Sequence, residues 1–516
     1  MSQINPKKDV NLTIDGIPVT VPEGTRILEA ARKVNVKIPT LCDYPNLCKR
    51  AICRLCVVEA DGRGKLIAAC ANEVWEGVKI VTNNLRILSI RRTIVELILT
   101  NHPPECLNCE KNRKCELQTL TETYGIREIP FSRDAMDRRL PRTESKILAR
   151  DMAKCVKCGR CVEVCQEIQS VRAINTSHRS IHYQINTPYR QSFSEGPCIF
   201  CCQCAVVCPV GAICEYDQSD EVHTVLSNRD LKVAIQILPA LAASITSSLN
   251  LPHSGYEYPP GPVSIGKIIT ALKRIGFYKV YDAGIAANAT VQEERRELAE
   301  RIKKPGSPLI TGCSPALNNF MEKFYPDLKK YLSPCKNPEQ IFASMVEKET
   351  GSAKIKTVSI MPCIAKKQTE NVDFNLGTQE LIRLIFTAGI DFKDLEESEF
   401  DSFTDLLPKE SVTPGTDDAV IRNVYEAYFG GDLPLPVYRE AQDKPGIIET
   451  EIDIQGAKAK ALIINGLANA RPVLEEIRSG KCDAAFIEIN CCSSGCAADA
   501  DCAADAGCEA DDGRHS

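Results

Sequence analysis

Two cysteine runs of one design, Cys155-x2-Cys158-x2-Cys161-x3-Cys165 and Cys198-x2-Cys201-x2-Cys204-x3-Cys208-Pro209, constrain this chain more than any other feature. Thiols repeated at that spacing are read as ligands of iron–sulfur clusters. The chain carries 27 cysteines in 516 residues, and its first ten residues lack the apolar core of a signal peptide. In a reducing cytoplasm, where the chain is expected to reside, so many thiols mean metal ligation rather than a disulfide framework.

The two runs resemble the bacterial two-cluster ferredoxin pattern, in which the fourth cysteine of each run serves the other cluster. The resemblance assigns one [4Fe–4S] centre to Cys155, Cys158, Cys161 and Cys208, and a second to Cys198, Cys201, Cys204 and Cys165. Cys202 and Cys214 fall off the pattern and are expected to pack beside the ligands.

A chain of this length divides into three or four domains. Its net charge of −5 gives no footprint for nucleic acid. The best apolar run, Val233 to Ile245, is interrupted at Gln236 and is too short to span a bilayer.

At the amino end, Val10, Leu12 and Ile14 alternate with polar residues up to Asp15-Gly16, and Ile17, Val19 and Val21 resume the alternation. That pattern predicts a hairpin with a type I′ turn. Thr25 is expected to cap a short helix over Ile27 to Val34. Cysteines then follow as Cys42-x10-Cys53-x2-Cys56-x13-Cys70, with Cys48 outside the set. The stretch resembles the [2Fe–2S] ferredoxin domain at the amino end of [FeFe] hydrogenases and of the large iron–sulfur subunit of respiratory complex I. An apolar helical stretch around Ile94 to Leu99 leads to His102-x3-Cys106-x2-Cys109-x5-Cys115. On chemistry alone one imidazole and three thiolates also suit zinc. The spacing and position resemble the His/Cys-ligated [4Fe–4S] segment of the same two families.

From residue 230 onward, strand-like runs at Val233 to Leu238, Ala461 to Ile464 and Ala484 to Ile487 alternate with helical patterns, one presenting Ile265, Ile268, Ile269 and Leu272 on a single face. The stretch Asp394 to Pro414 reads as an acidic surface loop. Here the resemblance narrows to [FeFe] hydrogenases, whose catalytic domain holds an H-cluster, a [4Fe–4S] cube joined to a two-iron centre, on three cysteine motifs. Their usual first motif is Thr-Ser-Cys-Cys-Pro; this chain has Thr311-Gly-Cys313-Ser314-Pro315. The resemblance gives Cys313 the proton-relay place and leaves Ser314 where a cube ligand stands. In the second motif, Met361-Pro-Cys363-Ile-Ala-Lys366-Lys367, Cys363 matches a cube ligand, and Thr369 stands where the family has Glu. In the third, Cys492 and Cys496 match the last two ligands, Cys496 as the bridging thiolate, although the Gly-rich continuation is replaced by Ala497-Ala-Asp-Ala-Asp-Cys502 and a small-residue acidic tail to Cys508. Glu294, Glu297, Arg301 and Ser333 match the family's proton-path positions, and the spacing of the first three puts them on one helical face. Serine is a far weaker iron ligand than thiolate, so Ser314 as an alkoxide, Cys313 or Cys491 in its place, or a cube without the two-iron centre all stay open.

The expected fold is multidomain α+β: a β-grasp [2Fe–2S] ferredoxin domain over 1–85, a His/Cys-ligated [4Fe–4S] domain over 86–145, a two-cluster ferredoxin domain over 146–225, and an α/β hydrogenase-like domain over 226–516. The expected cofactors are one [2Fe–2S] and three [4Fe–4S] clusters, with a further [4Fe–4S] cluster or an H-cluster in the carboxyl-terminal domain. The expected function is an iron–sulfur oxidoreductase subunit that passes electrons to a hydrogenase-like site. The alternative is a wiring subunit without hydrogen chemistry, in an electron-bifurcating NAD(P)H/ferredoxin complex or coupled to formate dehydrogenase; a redox or hydrogen sensor comes third. The chain lacks a Gly-rich nucleotide fingerprint, so NAD(P)H chemistry would need flavin/NAD(P)H-binding iron–sulfur subunits as partners, with ferredoxin and formate dehydrogenase as further candidates.

Overall fold

The computed structural model describes residues 8–131, 142–249, 263–403, 439–440 and 446–492, except 46, 48, 49, 62, 63, 303–306, 313, 352, 353, 362, 394, 455 and 456. Cys48, Cys313, Cys496, Cys502 and Cys508 lie outside the described residues, as does much of the expected acidic loop. The chain divides into two compact units: Met1–Glu167 with Arg172–Ser192 and Gln203–Cys214, and Ile168–Val171 with Phe193–Cys202 and Glu215–Ser516. Among the described residues no helix is long and apolar enough to cross a membrane.

The first unit opens with the expected hairpin. Strand Asp9–Ile14 pairs with Ile17–Pro22, and positive φ at Asp15 and Gly16, 49° and 83°, makes the turn type I′. A five-stranded sheet forms in the order Ile17–Pro22, Asp9–Ile14, Lys79–Val81, Val57–Ala60, Lys65–Ala68, with one parallel pairing, Asp9–Ile14 on Lys79–Val81. Helix Ile27–Lys33 buries Ile27, Leu28, Ala30 and Ala31 against this sheet. Its cap differs from expectation: Arg26 is the N-cap, its N–H donating to Glu29, while the Thr25 hydroxyl donates backward to the Pro22 carbonyl at 2.6 Å. With its hydroxyl engaged upstream, Thr25 closes the preceding turn rather than the helix.

The cysteine-rich remainder of this unit has few long elements. The longest helix, Leu85–Thr100, buries Ile87 and Val95 and is capped by the Asn84 side chain, which accepts from the Ile87 N–H at 2.9 Å. One apolar cluster unites Leu41 and Leu55, Val95 and Leu117, and Val210 and Ala212. Residues from three stretches of sequence therefore share one core, and the ligand loops they carry are fixed to one another by packing.

Among the described residues the second unit contains two sheets. In the first, four parallel strands run in the order Lys279–Asp282, Lys232–Ile237, Ile355–Ile360, Phe374–Leu376. Val233, Ile235 and Ile237 point to one face, covered by Ile268, Ile269 and Leu272 of helix Ile265–Ile275. Ala234 and Tyr281 point to the other, against Ala286 of helix Ala283–Ile302 and Phe342 and Met345 of helix Pro338–Thr350. Gln236, which interrupts the apolar run, donates to Ser359 Oγ on the adjacent strand at 2.8 Å, so the buried amide nitrogen is satisfied.

The second sheet runs Leu309–Thr311, Ala484–Asn490, Ala457–Asn465, Ile447–Ile454, Arg439–Glu440, parallel over its first three strands and antiparallel beyond. The described part of the acidic stretch is irregular, with Glu396, Glu397 and Glu399 exposed, as expected of a surface loop, but it is anchored. Leu395 is buried, Glu397 accepts from the Ser264 hydroxyl at 2.7 Å, and Asp401 accepts from the Val280 N–H at 2.9 Å. Thr270 of helix Ile265–Ile275 donates to the Glu396 carbonyl at 2.6 Å and Lys273 pairs with Asp401 at 3.2 Å, so the stretch is tied to that helix.

Candidate functional site

The first candidate centre lies beside the five-stranded sheet. Cys56 and Cys70 approach with sulfurs 3.3 Å apart. Hydrogen bonds from Cys53 and Cys70 pull the Cys42 thiol down and one from Cys70 pulls Cys56 down, while the same contacts push Cys53 and Cys70 up. All four predicted thiols thus converge.

Two cavities collect the next two predicted sets. One is lined by His102, Cys106, Cys109 and Cys115, together with Lys111 and Lys154. The other is lined by Cys155, Cys158, Cys161 and Cys208 among apolar neighbours such as Val156, Ile185 and Val210. Cys208 lies far along the chain from the other three, and the fold brings it into their cavity. Burial pushes the Cys155 thiol up to about 11 and Cys158 to about 12. These thiols are neutral before metal binds, so cluster assembly must release protons. Among the described residues no three His, Cys, Asp or Glu side chains close round a single metal ion; in a [4Fe–4S] cluster each protein ligand binds its own iron, which spaces the ligands more widely.

The internal repeat is visible in the backbone. Lys157 and Phe200, each two residues past the first cysteine of its run, have φ of 57° and 54° and donate N–H to that cysteine's sulfur at 3.4 Å. Cys202 occupies the left-handed position held by Gly159 in the first run, at φ 61° against 85°, and donates its thiol to the Phe200 carbonyl at 3.2 Å. Of the other predicted quartet, Cys165 and Cys204 belong to the first unit and Cys198 and Cys201 to the second. Cys165 Sγ accepts from the Ala173 N–H at 3.2 Å.

In the second unit the predicted proton-path residues come together. Helix Ala283–Ile302 presents Thr290, Glu294, Glu297 and Arg301 along one side. Glu294 is buried and accepts from the Thr311 hydroxyl and from Ser333. Burial raises its carboxyl above the ordinary range, and the Thr311 and Ser333 hydrogen bonds offset only part of that rise. Arg301 pairs with Glu297 at 2.6 Å and donates to the carbonyls of Pro308, Tyr331 and Leu332 at 2.9, 2.8 and 3.2 Å. The guanidinium thereby pins the loop that carries Ser333. Cys335 lies beside this group: its N–H donates to Ser333 Oγ at 3.3 Å, and burial, with Glu294 nearby, raises its thiol. Thr311 and Cys335 carry no sequence signal of their own as proton-path residues, although both sit inside matched motifs.

The motif cysteines are less complete. Cys363 and Cys492 are described and half-buried; Cys313 and Cys496 are not described. Ser314 is buried and serves as the N-cap of helix Pro315–Phe324, its Oγ accepting from the Ala316 N–H at 3.3 Å. A capping hydroxyl is not a substitute for a thiolate, so the described residues do not fit a full four-thiolate cube. Lys366, three residues past Cys363, reaches Glu339 at 2.7 Å and Met361 Sδ at 3.9 Å. Gln169, fully buried, donates to the Cys491 carbonyl at 2.5 Å and holds the entry to the third motif.

Gly312 stands where the motif usually has Ser, and here strand Ala484–Asn490 passes close to it. A Cβ there would lie 2.6 Å from both the Ile489 carbonyl oxygen and Leu317 Cδ2. Gly312→Ala is expected to cost about 1–3 kcal/mol, read from the denaturant midpoint at unchanged m.

Residues 232–499 match the family described as iron only hydrogenase large subunit, C-terminal domain. Residues 7–85 match the 2Fe-2S iron-sulfur cluster binding domain, and residues 91–130 the NADH-ubiquinone oxidoreductase-G iron-sulfur binding region. The chain is 34% identical to the NADP-reducing hydrogenase subunit HndD of Solidesulfovibrio fructosivorans over 521 residues, 94% of this chain and 87% of the relative. It is 30% identical to iron hydrogenase 1 of Clostridium pasteurianum, over 94% of this chain and 87% of the relative. It is 32% identical to the NADH-ubiquinone oxidoreductase 75 kDa subunit of Reclinomonas americana, over 40% of this chain and 29% of that relative.

Proposed function

The chain belongs to the iron-only hydrogenase large-subunit family, and from that premise we propose that it carries electrons along a series of iron–sulfur clusters to a hydrogenase-like site supplied with protons through Glu294. The cluster inventory is one [2Fe–2S] on Cys42, Cys53, Cys56 and Cys70, and three [4Fe–4S]. Of these, one is on His102, Cys106, Cys109 and Cys115, one on Cys155, Cys158, Cys161 and Cys208, and one on Cys198, Cys201, Cys204 and Cys165. Bound clusters supply one-electron chemistry; the chain's part is to space them, bury them and set their potentials. The domain limits expected from the sequence, with a β-grasp first domain, go with this inventory.

The observation that carries the proton part is the buried Glu294 carboxyl held between Thr311 and Ser333. A carboxyl kept protonated more readily than usual can take a proton from the Glu297 side through Ser333 and give it toward the Thr311 side, where Cys313 follows two residues on. Flavin/NAD(P)H-binding iron–sulfur subunits are the proposed electron partners, in keeping with the NADP-reducing relative; ferredoxin and formate dehydrogenase are alternatives.

One observation favours a second reading, a wiring subunit without hydrogen chemistry: the Ser314 hydroxyl caps a helix in the place of a cube ligand. Infrared spectra of protein co-expressed with maturases and purified without oxygen separate the two readings. Bands from iron-bound CO and CN with hydrogen evolution support the first, and absence of both supports the second. Ser314→Cys is expected to increase iron content at the carboxyl-terminal site; unchanged iron would mean that Ser314 is not the missing ligand.

A further inference from the structure

Arg160 opens the short helix Arg160–Glu163 between Cys158 and Cys161, and it is only 4% exposed. Its Nη1 and Nη2 grip Glu116 Oε1 and Oε2 at 2.5 and 2.8 Å. Glu116 follows Cys115, and its own N–H donates to the Pro209 carbonyl, next to Cys208, at 3.0 Å. Arg160 Nη1 also reaches the Val207 carbonyl, on the other side of Cys208, at 3.5 Å. The guanidinium carbon lies 5.4 Å from the ring centroid of Tyr44, two residues past Cys42. One buried cation therefore touches the loops of three ligand sets within the first unit.

A buried ion pair adds little net stability compared with well-packed apolar side chains, so its placement calls for another reason. A guanidinium keeps its charge at any accessible pH, and the fork on Glu116 holds that charge in place. A fixed charge in a low-dielectric interior acts strongly on neighbouring charge changes.

We propose that Arg160 is a positioning residue for electron transfer: its charge raises the reduction potential of the cluster on Cys155, Cys158, Cys161 and Cys208, and its fork on Glu116 maintains the hydrogen-bonded link from Cys115 to Cys208. The inference rests on those two ligand assignments. Reduction adds one electron to the cluster, with no bond made or broken and no proton moved. Arg160 stabilises the added negative charge and Glu116 opposes it.

The test is an EPR-monitored redox titration of full-length, anaerobically reconstituted protein, with iron and sulfide counted in each sample. Cys208→Ala identifies the signal of the cluster concerned; if no [4Fe–4S] signal disappears, the ligand assignment falls, and the inference with it. At full iron content, Arg160→Gln is expected to lower the reduced-to-oxidised ratio at fixed potential about tenfold, about 59 mV for one electron. Glu116→Gln is expected to raise it, and Arg160→Lys to restore the potential while weakening magnetic coupling to the neighbouring reduced cluster. Unchanged midpoints, or shifts of the same sign in Arg160→Gln and Glu116→Gln, overturn the inference. If Arg160→Gln loses iron, the sign of the Glu116→Gln shift decides alone.

Discussion

Cys208→Ala is expected to remove one whole cluster, about four irons per chain, while leaving the other amino-terminal centres loaded. Cys208 is buried and shares its cavity with Cys155, Cys158 and Cys161. The surrounding side chains are apolar, so no nearby carboxylate or imidazole stands ready to replace the lost thiolate. The same substitution at Cys214, three residues past Gly211 in the same buried segment, is expected to leave the iron count unchanged. Iron and acid-labile sulfide analysis with EPR of the reduced protein distinguishes them. Equal iron loss from Cys208→Ala and Cys214→Ala would refute the ligand assignment.

On the proposed hydrogenase reading, Glu294→Gln should lower hydrogen turnover by about 10²- to 10⁴-fold, the usual contribution of a positioned proton-transfer group. The amide retains the size of the carboxyl and can still accept from Thr311, but it cannot pass a proton on. Glu297 is partly exposed, where water can take over its task, so Glu297→Gln should cost much less. Hydrogen evolution with a reduced dye, followed across pH, is the measurement; retention of activity within about threefold in Glu294→Gln would exclude this path.

The same variant has a stability signature. The folded-state pKa of Glu294 is raised, so the folded chain holds that proton more tightly than the unfolded chain. The resulting stability is fully present below the unfolded value of about 4.3 and is lost as pH rises through the raised folded value. Glu294→Gln is therefore expected to be more stable than the wild type on the alkaline side, with the advantage vanishing in acid. Denaturant midpoints taken across pH would show it.

Several local features are legible in the amino-acid sequence. The Asp15-Gly16 turn and the helical face of Ile268, Ile269 and Leu272 appear as expected, and Cys155, Cys158, Cys161 and Cys208 line one cavity. Thr25 departs from expectation because the helix starts one residue later, with Arg26 as N-cap, and the Thr25 hydroxyl turns back to the Pro22 carbonyl. The Leu395 to Phe403 stretch keeps its glutamates exposed as expected, while the burial of Leu395 against the core is masked in the sequence by its acidic neighbours. Cys202 is legible as an off-pattern thiol, but its place at the Gly159-equivalent turn needs the backbone angles.

The sequence by itself determined that this chain binds iron–sulfur clusters in its first half, because thiolate chelation depends on cysteines spaced along short loops. Only the tertiary structure decided the surroundings of those ligands. It brings Thr311 and Ser333 to Glu294, turns the Ser314 hydroxyl to a helix cap, and buries Arg160 between Glu116 and Val207. A buried charge or carboxyl takes its properties from residues distant in sequence, and packing alone chooses which of them arrive.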